Sequence, residues 1–173
     1  AIFASKESAV ELDVIKKRTQ FLQTGLAREG LWYTDAWRER LWFMLEICAF
    51  HLQDFHTAVA SGADRLEVCV EYEHGGLTPP SEWIRELHEA YPHIPLVSMA
   101  RPRGGDFCYS DKEWDQLSAD AVELRDAGSA AIVFGCLTAD HKLDITRCQR
   151  LITHLKCPCV LHRAFDEIED PLR

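Results

Sequence analysis

The chain has 173 residues, 47% of them hydrophobic, which suits one domain with a sizeable core. With 19 Lys and Arg against 28 Asp and Glu the formal charge is −9, and no run of like charge stands out, so a nucleic-acid partner or an anionic membrane surface is not expected. No apolar run approaches the roughly 20 residues of a membrane helix and the start lacks a secretory pattern, which points to a soluble cytoplasmic protein.

Residues 1–43 read as an N-terminal helical extension. Leu12, Ile15, Leu22 and Leu26 suggest one amphipathic helix, and Thr34 is placed to cap a second bearing Trp37 and Leu41. Two readings of this segment stand: a fused upstream piece, or a helical pair packed on the rest of the molecule. The first is favoured because 43 residues replace few βα units of roughly 30 residues each.

From Met44 the pattern becomes regular. Short β-rich runs at Leu45 to Phe50, Arg65 to Val70, Leu96 to Arg101, Ala130 to Gly135 and Cys159 to Phe165 alternate with stretches of helical period. The first helix places Leu52, Phe55 and Val59 on one face and stops near Gly62. The second begins at Ser81, stripes Ile84, Leu87 and Tyr91, and ends at Pro92. Ser110-Asp-Lys-Glu113 has the spacing of a capping box and opens a third, with Trp114, Leu117, Ala121 and Leu124 inward. The fourth runs from Asp144 with Ile145, Cys148, Ile152 and Leu155 inward. Strand and helix in alternation, without hairpin signals, mean right-handed crossovers and a parallel sheet.

The choice between an open doubly wound sheet and a barrel rests on a repeat. Leu45-Glu-Ile-Cys48 returns as Leu66-Glu-Val-Cys69. Alternation along a strand puts Glu46, Cys48 and Phe50 on one face, and Glu67, Cys69 and Glu71 on the equivalent face of the next strand. A central strand covered by helices on both sides should be apolar on both. A barrel strand instead turns one face to a lumen whose upper end is the working end of the fold. The repeated Glu and Cys therefore predict two neighbouring strands lining one cavity.

The motifs MLEICAF, GADRLEVCVEYEHGGLTP, RPRGGDFCYSDKE and LHRAFD, in this order and spacing, resemble those of the copper homeostasis protein CutC family. The resemblance covers Met44 to Arg173 and implies an α/β fold of the (β/α)8 TIM-barrel type. It further implies a cytoplasmic homo-oligomer with a role in copper handling, in which cysteines bind Cu(I). Only about five βα strands of such a barrel fit into these 130 residues, against about 250 for a typical whole barrel. The partition expected is thus an extension at 1–43 and a partial barrel at 44–173.

Seven cysteines without CxxC spacing read as reduced thiols, and Cys157-Pro158-Cys159 as a strand entrance. Cys48 and Cys69 lead as Cu(I) ligands, because thiolates are soft donors and Met99 on the third strand is a soft neighbour; the competing reading makes them small core residues. Cys108, Cys136 and Cys148 read as packing thiols, and His74, His141 and His154 as surface residues. A polar rim is the other candidate site. Glu46, Glu67, His162 and Asp166 are candidates for acid–base chemistry, and Arg101, Arg103, Gly104, Gly105 and Asp106 for holding an anion. Gly75-Gly76-Leu77-Thr78-Pro79 supplies a second flexible loop there. Copper handling, an enzyme of a small anionic metabolite at the barrel rim, and a chain held together by self-association are the three functional expectations.

Overall fold

The structure, a computed structural model, describes residues 2–3 and 44–168. The helices expected around Leu12–Leu26 and after Thr34 lie outside the described residues. Six strands pair in chain order, all parallel: β1 (Ile2–Phe3), β2 (Glu46–Ala49), β3 (Arg65–Val68), β4 (Leu96–Met99), β5 (Ala131–Phe134) and β6 (Cys159–Leu161). β1 was not expected; its two residues pair with Ile47 and Cys48. Between the strands run α1 (Leu52–Ala60), α2 (Ser81–Ala90), α3 (Asp111–Asp126) and α4 (Ile145–Leu155). The five strands read from periodicity are all present, most ends trimmed by one or two residues, while β6 stops at Leu161, four short of the expected Phe165, because the chain turns into a 3-10 helix at Arg163–Glu167.

The two sheet faces are chemically different, as a barrel requires. The larger cluster packs the helix stripes onto the outer face: Phe55 and Ala58 of α1, Ile84 and Leu87 of α2, and Leu117, Ala121 and Leu124 of α3 meet Ile47, Leu66, Val68, Leu96 and Ile132. A second, smaller cluster holds Cys48, Phe50, Cys69, Val97, Met99, Ala131 and Val133 and belongs to the inner face. The registers explain the layering. Cys48 stands opposite Glu67, Glu67 opposite Val97, and Val97 opposite Ala131, so like-facing residues meet across the sheet.

Local signals account for the helix ends. Ser110 accepts from the Glu113 N–H while the Glu113 carboxylate accepts from the Ser110 N–H, the reciprocal arrangement expected at the start of α3. Asp144 caps α4 by accepting from the Arg147 N–H at 2.9 Å. After α1 the chain turns through Gly62 at φ +92°, a conformation that favours glycine.

The stripe of α4 differs from expectation. Cys148, Leu151 and Leu155 are buried, whereas Ile145 and Ile152 are 58% and 46% exposed. Cys148 and Leu155 belong to both spacings, so periodicity alone left the helix free to rotate by one residue. Contact with the sheet selects Leu151, and the isoleucines fall on a flank that no described element covers.

Candidate metal centre

The repeated tetrapeptide brings its donors together. Cys48 faces Glu67 across the β2–β3 ladder, and Cys69 follows β3 with its N–H donating to the Ala49 carbonyl at 3.3 Å. The two thiols, each 1% exposed, lie with Sγ atoms 3.8 Å apart, and Cys69 Sγ is 3.9 Å from Glu67 Oε1. One donor atom from each of the three residues fits within 4.8 Å of the others. At a metal–thiolate bond of about 2.3 Å, two sulfurs hold an ion linearly at about 4.6 Å, so this pair needs a bent geometry or a small outward shift. Met99 belongs to the same apolar cluster, as expected.

The surroundings are dry. Hydrogen bonding with Cys48 and burial together push the Cys69 thiol far up, so a cation must displace a proton to gain a thiolate. Burial raises Glu67 above the usual carboxylate range, and the charge of Glu46 adds to it. Glu46 itself begins β2 and forms an ion pair with Arg65. It therefore sits at the N-terminal end of its strand, a correction to its expected place on the rim.

A small hairpin covers the thiols. Val70 and Leu77 exchange backbone hydrogen bonds, and between them the chain turns through Glu71, Gly75 and Gly76 with positive φ. The Gly76 backbone lies over the sulfur: a Cβ there would sit 3.5 Å from Cys69 Sγ, an ordinary contact, and it is the φ of +90° that favours glycine. Arg101 pins this hairpin. Its Nη1 donates to the carbonyls of His74 at 2.8 Å, Gly75 at 3.3 Å and Gly76 at 3.3 Å, while Nη2 donates to Gly105 at 2.8 Å. One buried guanidinium thus ties together both glycine loops anticipated at the rim.

The other rim residues are placed as follows. Arg103 spends its donors on Glu113, Gly104, Asp106 and Cys108, with Nε to Glu113 Oε1 at 2.6 Å. Asp106 answers Arg103 and the Cys108 N–H, which holds its carboxyl below the usual range. His162 is buried, and its Nδ1 accepts from the Ala164 N–H at 3.2 Å. Asp166 is exposed on the following 3-10 turn, Arg163–Glu167. The structure thus joins Cys48, Glu67 and Cys69 into one group and Arg103, Gly104 and Asp106 into another, without bringing the four acid–base candidates together. Tyr109 and Phe107 were missed in the sequence. Both are buried by a loop, where periodicity offers no signal.

Comparison with known proteins bears on the family and the fold. A family model described as CutC family matches residues 43–173. A copper homeostasis protein cutC homolog of Caenorhabditis elegans is 45% identical over 127 residues, covering 73% of this chain and 51% of the relative. The Homo sapiens homolog of that name is 37% identical over 131 residues, 75% of this chain and 48% of the relative. This chain spans about half the length of the curated relatives it matches. The crystal structure of a CutC protein of Streptococcus agalactiae aligns with a TM-score of 0.69 at 32% identity, covering 74% of this chain and 63% of that one.

Proposed function

The chain belongs to the CutC family, and on that premise we propose that it serves copper homeostasis by holding Cu(I) between Cys48 and Cys69 inside the barrel. The observation that carries this reading is the 3.8 Å approach of two buried thiols on adjacent strands. Soft sulfur donors in a water-poor setting favour Cu(I) over harder divalent ions. Glu67 adds a third donor group within 4.8 Å of the thiols. Seven free cysteines suit a reducing cytoplasm, where the metal would be received and passed on. Copper is cargo here, and the residues of this chain bind it, shield it from water and release it. Acid–base chemistry at the rim draws less support, because Arg103 is already bonded through all three of its nitrogens and Glu46 is paired with Arg65.

The test is an anaerobic Cu(I) competition titration against a colorimetric chelator. The expected result is one equivalent bound tightly by this chain and lost in Cys48→Ser with Cys69→Ser, while Cys157→Ser binds as the parent does. Equal affinity in the parent and the double variant would make both thiols core residues and end the proposal.

A further inference from the structure

A second polar cluster lies at the C-terminal ends of β4 and β6. Arg101 follows shortly after the first strand and His162 directly after the second, with the Phe107 ring 4.7 Å from the Arg101 guanidinium carbon and 4.6 Å from the His162 ring centre. β5, between them, is followed by Gly135, where a Cβ would lie 2.8 Å from two atoms of the His162 ring. Glycine at this point makes room for the histidine.

The hydrogen-bond account of this cluster does not close. Arg101 is 3% exposed and always charged, yet its acceptors among the described residues are neutral carbonyls and no carboxylate. Its Nε–H has no partner among the described residues, and neither do His162 Nε2 and the Tyr109 hydroxyl, all of them buried. Because His162 Nδ1 accepts from the Ala164 N–H, the ring hydrogen resides on Nε2, which is therefore a donor. The Tyr109 hydroxyl lies close enough to Arg101 for the guanidinium to act on it by charge and hydrogen bonding, yet no hydrogen bond of regular geometry closes between them. A second guanidinium borders the same place: a Cβ on Gly75 would be 2.9 Å from Arg163 Nη1 and 3.3 Å from Arg101 Nη1. Arg163 is exposed and has no acidic partner among the described residues.

Leaving a buried cation without a counter-charge is costly, and unpaired buried donors add to that cost. Two arginines, a neutral histidine offering N–H and a tyrosine hydroxyl have one common remedy, a group with negative oxygens. We propose that Arg101, Tyr109, His162 and Arg163 form a binding site for a small oxyanion, a phosphate or carboxylate group, distinct from the cysteine pair. Arg163 supplies charge at the exposed side, and Arg101 Nε, His162 Nε2 and the Tyr109 hydroxyl donate from within. The site departs from the rim anion loop expected around Arg103, whose donors serve its own loop and Glu113.

Calorimetric titration of the copper-free 173-residue chain with inorganic phosphate, and separately with citrate, at constant ionic strength tests this. Saturable binding is expected for one or both probes, and which one saturates assigns the site to phosphate or to carboxylate groups. Arg163→Gln should weaken it about tenfold and Tyr109→Phe several-fold, with melting temperatures in probe-free buffer near the parent value. Cys48→Ser with Cys69→Ser should bind the probes unchanged, which separates this site from the copper reading. Absence of saturable binding by either probe, or affinities unmoved by both Arg163→Gln and Tyr109→Phe, would overturn the proposal.

Discussion

Burial and the neighbouring Arg101 charge bring His162 down to about 4, so the ring stays neutral through the physiological range. The consequence for stability has a definite sign. An unfolded histidine takes up its proton near pH 6.5, while the folded one resists until about 4, so the native advantage is full above about pH 6.5 and is lost as pH falls between these values. The His162→Asn variant keeps an acceptor for the Ala164 N–H but does not titrate. Urea unfolding at a series of pH values should show the parent losing about 3 kcal/mol more than this variant between neutrality and pH 4. The cysteine pair was legible because alternation along two strands makes a repeated Glu-x-Cys project to one face. The role of Arg101 was not, since backbone carbonyl acceptors leave no trace in the sequence of side chains.

Among the elements, the Val70–Leu77 hairpin depends on a side chain from a neighbouring strand end. Arg101 Nη1 supplies three of its tethers. Lysine lacks the planar fork that reaches several carbonyls at once. Arg101→Lys should therefore let the hairpin open more often, giving roughly tenfold faster labelling of Cys69 by a thiol reagent, equivalent to about 1.4 kcal/mol of local opening. An unchanged labelling rate would show that the hairpin stands without the clamp. At the start of α3, Ser110→Ala removes one half of the reciprocal cap and should cost about 1 kcal/mol in thermal or urea unfolding, with the cysteine chemistry untouched. Both the cap and the helix it starts were readable from four residues, because their spacing has a backbone reason. The rotation of α4 was not readable, because the choice between Leu151 and Ile152 is made by the sheet it packs on.

At the scale of the whole molecule, the apolar surface left outside is concentrated on the last βα unit. Ile145 and Ile152 of α4, Val160 and Leu161 of β6, and Phe165 just beyond are between 39% and 58% exposed, and β6 pairs with β5 alone among the described strands. Such an edge invites a partner strand. Sedimentation velocity should find this chain self-associating as its concentration rises, and Val160→Lys with Leu161→Glu should shift it towards the monomer; a monomer at all concentrations in the parent would contradict this. The barrel class was visible in the sequence because each unit repeats the same grammar, whereas the exposed edge depends on what lies beside β6. The backbone of Gly76 over Cys69 has a kinetic consequence of its own. In the proposed copper site the two sulfurs would set the affinity, whereas the pace of loading and unloading would be set by how often a loop pinned from a neighbouring strand swings aside. On that reading evolution could slow or quicken exchange by altering Arg101 or the glycines, without touching either cysteine.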